Sequence, residues 1–107
     1  MSLLDLQTET HGDAVRIVLT GELDISTAPR VEEELRRVEE DQPAVIVLDL
    51  RELEFMDSTG LRVLVSAHAR AGSTSRFLVV RPPAGGPIAK ILAIAGVESE
   101  LDLVDDI

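Results

Sequence analysis

Ala44-Val45-Ile46-Val47-Leu48-Asp49-Leu50 is an almost continuous apolar run rich in β-branched residues, and soon after it comes Phe55-Met56-Asp57-Ser58-Thr59-Gly60-Leu61. The first segment reads as a strand covered on both faces. Beyond the second, Leu61, Leu64, Val65 and His68 recur at helical spacing and predict a helix with one apolar face, ending near Ala71-Gly72. Asp57, Ser58 and Thr59 therefore fall between a buried strand and a helix start, where the first backbone N–H groups of a helix lack intrahelical partners. A hydroxyl in that position can be a cap or a switch.

The flanking sequence extends this strand-helix unit in both directions. Leu4, Leu6 and Thr8 alternate with polar neighbours, His11-Gly12-Asp13 makes a turn, and Val15, Ile17 and Leu19 alternate again, so the chain opens with a hairpin closed at Gly21. Glu22-Leu23-Asp24-Ile25 reads as a short extended or irregular piece. Ser26-Thr27-Ala28-Pro29 then supplies an N-cap and a first-turn proline, and Ala28, Val31, Leu35 and Val38 form the stripe of a helix over residues 28–40. Asp41-Gln42-Pro43 breaks it. After the second helix, Phe77-Leu78-Val79-Val80 is a third apolar strand stopped by Pro82 and Pro83. Gly85-Gly86-Pro87 opens a third helix with Ile88, Ile91, Leu92 and Ala95 on one face and Gly96 at its C-terminal cap, and Leu101, Leu103 and Val104 suggest a short last strand. The order β-β-(β)-α-β-α-β-α-(β) predicts an α/β fold: a mixed sheet, antiparallel at its opening hairpin and parallel elsewhere, with helices packed mainly on one face.

A chain of 107 residues with 45% hydrophobic content fits one core, so residues 1–107 are expected to form a single domain. No segment approaches the ~18 apolar residues that cross a bilayer, and Met1-Ser2-Leu3-Leu4-Asp5 lacks a basic stretch leading into an apolar one. The expectation is a soluble, cytoplasmic protein without membrane insertion. The absence of cysteine excludes disulfides, thiolate zinc sites and thiol catalysis. With Lys+Arg at 10 against Asp+Glu at 20, the formal charge of −10 argues against direct nucleic-acid binding, which needs clustered cations. A basic or mixed-charge protein partner suits it better.

Site chemistry narrows in the same way. His11 and His68 lie far apart and belong to no ligand-spaced cluster, so no metal is expected, and no cofactor. The carboxylates at Glu32-Glu33-Glu34 and Glu39-Glu40-Asp41 read as a solvated helix face and not as an acid–base pair. Ala84-Gly85-Gly86-Pro87 lacks the lysine and hydroxyl of a P-loop, and its proline removes an N–H that would cradle phosphate. Asp49 and Asp57 lack the neighbouring carboxylates and lysine that phospho-aspartate chemistry requires. Asp57-Ser58-Thr59-Gly60 remains, read either as a helix cap worth ~1 kcal/mol or as a loop that presents a hydroxyl to a partner.

Leu48-Asp49-Leu50, Phe55-Met56-Asp57-Ser58-Thr59-Gly60-Leu61 and Leu19-Thr20-Gly21-Glu22-Leu23-Asp24 together resemble the STAS-domain family, and within it the bacterial anti-sigma factor antagonists. The resemblance covers nearly the whole chain in order. It implies a partner switch: unphosphorylated antagonist binds an anti-sigma factor that is itself a serine kinase, a sigma factor is released, and a protein phosphatase resets the system. Carried onto this chain, Ser58 matches the phosphoacceptor, with Thr59 as the adjacent alternative. Asp57 would hold the helix start, and Glu22 and Asp24 match the loop near the acceptor. Glu22, Asp24, Asp57, Ser58, Thr59 and Gly60 would form the partner-binding surface of a protein that is a substrate and no enzyme. Many such relatives carry a further helix after the last strand, which here is expected to be absent or much reduced beyond Asp105-Asp106-Ile107. The competing reading is a non-switching STAS adaptor, a scaffold subunit of a signalling assembly or of a lipid-transport system, which needs no acceptor hydroxyl.

Overall fold

A computed structural model describes residues 3–72 and 74–105. Met1-Ser2 and Asp106-Ile107, which entered the sequence reading at the two ends of the chain, lie outside these. The described chain forms strands β1 (Leu4–His11), β2 (Ala14–Leu23), β3 (Val45–Asp49), β4 (Leu53–Met56), β5 (Arg76–Val80) and β6 (Leu103–Val104), with helices α1 (Ala28–Glu40), α2 (Ser58–Ala71) and α3 (Pro87–Ala95). A short 3₁₀ turn at Glu98–Glu100 precedes β6.

The six strands make one mixed sheet in the order β1-β2-β3-β5-β6, with β4 paired to β2. β1 and β2 form the antiparallel hairpin, in which Leu6 faces Leu19 and Thr8 faces Ile17. β3 runs parallel to the first half of β2, from Ala14 opposite Val45 to Val18 opposite Asp49. β4 takes over the same side of β2 further along, with Glu22 opposite Phe55 and Leu23 opposite Met56. Two short strands thus lie end to end along one long one.

β4 corrects the sequence-based order, which set the additional strand before the first helix. Residues 22–23 instead continue β2, and the new strand follows β3. Its burial runs buried, exposed, exposed, buried, so it carries neither an alternating pattern nor an apolar run. Pairing with β2 makes it a strand.

The helices cover one face only. Val15, Ile17, Leu19, Ile46, Leu48, Phe77 and Val79 from the sheet share a core with Val31 and Leu35 of α1, Val63 and Leu64 of α2, and Ile88 and Leu92 of α3. Val47, Leu78 and Val80 form a separate small cluster on the opposite face, against the half-buried Val45 and Val104. β3 is buried on both faces as its composition suggests, one face under the helices and the other under this cluster and a charged group described below.

α1 has the expected bounds, with Pro29 in its first turn and Ala28, Val31, Leu35 and Val38 buried. Each fully buried valine or leucine contributes about 1.5–3 kcal/mol. The Glu34–Arg37 pair lies at the surface, where solvent screens it, so the stripe holds the helix in place. In α2 the buried side is rotated from the expected one: Gly60, Val63, Leu64, Ala67 and Ala71 are buried, whereas Leu61, Val65 and His68 are half-buried. Arg70 on α2 joins Glu39 on α1 through two hydrogen bonds of 3.1 and 3.0 Å.

Candidate functional site

The end of β2 bends through Gly21, whose φ of 108° is open to glycine and strained for other residues. A Cβ at Gly21 would stand 2.1 Å from the carbonyl oxygen of Leu3, and the next residue, Glu22, donates its N–H to that same oxygen at 2.9 Å. The pairing register between β2 and β4 shifts at this point. The shift brings Glu22 alongside Phe55 and continues the sheet to the start of α2.

Asp24 then organises the turn into α1. Its Oδ1 accepts hydrogen bonds from the N–H and hydroxyl of Ser26, at 2.9 and 2.7 Å, and from the N–H of Thr27 at 3.2 Å. The Ser26 hydroxyl, opposed by a smaller burial effect and assisted by the Ser26 and Thr27 N–H groups, holds the Asp24 carboxyl below its ordinary value. Thr27 occupies the N-cap position of α1 without capping it. Its buried hydroxyl donates to the Glu22 carbonyl at 2.9 Å and accepts from the Asp24 N–H at 2.9 Å. The residue expected to start the helix instead fixes the loop that carries Glu22 and Asp24.

β4 delivers the hydroxyl motif to the same corner, since the Asp57 N–H donates to the Leu23 carbonyl at 3.3 Å. The Asp57 carboxylate caps α2, accepting from the N–H groups of Thr59 at 2.9 Å and Gly60 at 3.4 Å. Ser58, the first helical residue, is exposed, and its hydroxyl makes no hydrogen bond among the described residues. Thr59 is half-buried. Gly60 is buried, and a Cβ there would lie 2.4 Å from Met56 Cγ and 3.0 Å from Leu23 Cγ. Gly60 thus belongs to the packing beneath the site, while Ser58 is exposed and Glu22, Asp24, Asp57 and Thr59 are half-buried around this corner.

Sequence reasoning missed two contributors. Ile25 is 77% exposed and Phe55 is 46% exposed, which puts apolar side chains beside the acidic ones at this corner. Phe55 stood within the motif, but only its place opposite Glu22 reveals that it faces outward. Asp49 was also underestimated. It is only 2% exposed and lies on the sheet face without helices, where Arg51 binds it through Nη2 at 2.7 Å and Nε at 3.1 Å and Arg16 approaches to 3.5 Å. Burial opposes its ionisation, and the Arg51 side-chain and backbone hydrogen bonds with the charges of Arg51 and Arg16 outweigh it, leaving the carboxyl below its ordinary value. The Arg51 N–H also donates to Asp49 at 3.0 Å, which pins the turn from β3 into β4.

Among the described residues no group of three or more His, Asp or Glu side chains could hold a metal ion. The cleft beside Gly85, about 250 Å³, is lined by Arg81, Pro82, Ala84, Ala89 and Leu92. Its Arg81 pairs with Asp105 at 3.2 Å, and Pro87 occupies the first turn of α3, so the cleft offers phosphate little. No helix among the described residues is long and apolar enough to cross a membrane.

The family model for the Mlab, STAS domain matches residues 6–105. The chain belongs to the STAS domain family. Over 70 residues, 65% of the chain, this STAS domain is 34% identical to the anti-sigma-F factor antagonist RsfB of Mycobacterium tuberculosis, of which the match covers 57%. Over 59 residues, 55% of the chain, it is 42% identical to an anti-sigma-B factor antagonist of Listeria monocytogenes, of which 52% is covered. The matched segments thus span little more than half the length of these relatives. The crystal structure of an anti-sigma factor antagonist from Mycobacterium paratuberculosis superposes with a TM-score of 0.87 at 26% identity, covering 97% of this chain and 87% of that one.

Proposed function

We propose that this STAS domain is an anti-sigma factor antagonist. Unphosphorylated, it binds an anti-sigma factor in the cytoplasm and so frees a sigma factor; phosphorylation of Ser58 by that anti-sigma factor, acting as a serine kinase, ends the interaction. A protein phosphatase restores it. The domain is the substrate of this cycle and carries no catalytic group of its own. In the transfer, Ser58 Oγ attacks the γ-phosphorus of ATP, the bond to ADP breaks, and the hydroxyl proton passes to the kinase.

One observation carries the reading: capping and presentation are divided between neighbouring residues. Asp57 satisfies the helix start, which leaves the exposed Ser58 hydroxyl unengaged. Ser58 is favoured over Thr59 because Thr59 is half-buried. A phosphate adds about −1.5 to −2 charges. Placed beside Asp57, Asp24 and Glu22, that charge would repel an acidic partner surface and desolvate poorly against an apolar one, while Ile25 and Phe55 supply the apolar contact that unphosphorylated protein offers. The RsfB and Listeria relatives named as anti-sigma factor antagonists support the same assignment.

The test is incubation with the candidate kinase partner and ATP, followed by mass spectrometry. The expected result is one phosphate on Ser58, loss of binding in Ser58→Asp, and a Ser58→Ala variant that binds but is not switched off. Absence of phosphate from Ser58 and Thr59, with Ser58→Asp binding as tightly as wild type, would overturn the switch in favour of a non-switching adaptor.

A further inference from the structure

Arg62 lies four residues after Ser58 on α2, so the two side chains occupy one helix face a turn apart. Helical side chains lean toward the N-terminus, which carries the long Arg62 side chain toward Ser58. Arg62 is exposed, and its guanidinium has no hydrogen-bond or ion-pair partner among the described residues. Other arginines of the domain are engaged: Arg51 with Asp49, Arg30 with the Leu4 carbonyl, Arg70 with Glu39. The helix end itself has little left to give a phosphate, because Asp57 already takes the N–H groups of Thr59 and Gly60.

We propose that Arg62 is the intrachain counter-ion of a phosphate on Ser58. The inference rests on Ser58 being the phosphoacceptor. A guanidinium matches phosphate oxygens with a fork of charge-assisted hydrogen bonds. Closure of that fork draws the phosphate along the exposed face of α2 and neutralises part of its charge, in surroundings that otherwise repel it. The acidic groups at this corner are Glu22 at the end of β2, where it pairs with β4, Asp24 in the turn that follows, and Asp57 at the cap. Arg62 is then free for a partner only while Ser58 is unmodified, so phosphorylation removes a cation from the surface as well as adding an anion.

Phosphoserine placed at position 58 by chemical ligation tests this without any kinase. Phosphorus NMR follows the second ionisation of the phosphate, which lies at about pH 6 in a free phosphoserine. Arg62→Gln should move that ionisation to higher pH, Arg62→Lys should recover most of the difference, and Arg36→Gln on α1 should leave it in place. The Arg62 Nε–H resonance should also shift between the serine and phosphoserine forms. Coincident titrations of wild type and Arg62→Gln, or an unmoved Nε–H resonance, would overturn the proposal. Because the phosphate is installed by synthesis, a negative kinase assay and a negative titration fail independently.

Discussion

At the scale of single residues, the site works because adjacent polar side chains have separate tasks. Asp57 accepts two backbone N–H groups, and the Ser58 hydroxyl makes no hydrogen bond among the described residues. Loss of an N-cap carboxylate costs about 1 kcal/mol, whereas loss of an exposed, unbonded hydroxyl costs at most a few tenths. Asp57→Ala should therefore lower the stability measured by urea denaturation by about 1 kcal/mol, and Ser58→Ala should leave it nearly unchanged. Equal losses in the two variants would show that the hydroxyl is structural. The preference of Asp and Ser for helix starts was legible in the residue types, which cap about equally well; the family resemblance assigned the helix start to Asp57, and Asp57 is the residue that caps. Thr27 shows the converse. It stands at the expected cap position but turns its hydroxyl back to Glu22, since the Asp24 turn brings that carbonyl within reach.

At the scale of elements, Gly21 decides whether β2 can pass from one parallel neighbour to the next. Its positive φ and the close Leu3 carbonyl leave no room for a side chain. Gly21→Ala should destabilise the domain by about 3 kcal/mol through combined backbone strain and overpacking. Hydrogen exchange would locate the damage, with protection lost first at the Glu22 and Asp57 amides, whose bonds to the Leu3 and Leu23 carbonyls close this corner. Unaltered exchange there would mean that the bend is not held by glycine. The elements most readable from sequence are those with strong local signals, such as α1 with Pro29 and its four-residue stripe. β4 was illegible because four residues without alternation are made a strand by tertiary pairing. The phase of α2 was misread for a related reason: Leu61, Val63, Leu64 and Val65 are consecutive enough to permit two stripes, and the small Ala67 and Ala71, which a hydropathy pattern weights lightly, mark the side that packs.

At the scale of the whole molecule, the sheet has one face sealed by helices and one sealed by side chains, and Asp49 is the charged centre of the second. It ties β2 to the β3–β4 turn through Arg16 and Arg51, so it joins the strands that converge on the site. Asp49→Asn keeps the shape but removes the buried charge that Arg51 and Arg16 meet, and should cost on the order of 2 kcal/mol at neutral pH, the value of hydrogen bonds to a charged group. The pH dependence gives the sharper test. Because the folded carboxyl titrates below its unfolded value of about 3.9, its stabilisation is complete above that value and is lost as pH falls through the folded one. Urea denaturation of wild type and Asp49→Asn should differ by a constant amount from about pH 5 to 8, and the difference should close below about pH 4. A gap that stays constant in acid would mean that Asp49 acts through shape and not charge. A chain with a formal charge of −10 has carboxylates to spare on its surface. Asp49 differs from those in being buried with two arginines, and its bonds to them tie β2 to the turn between β3 and β4.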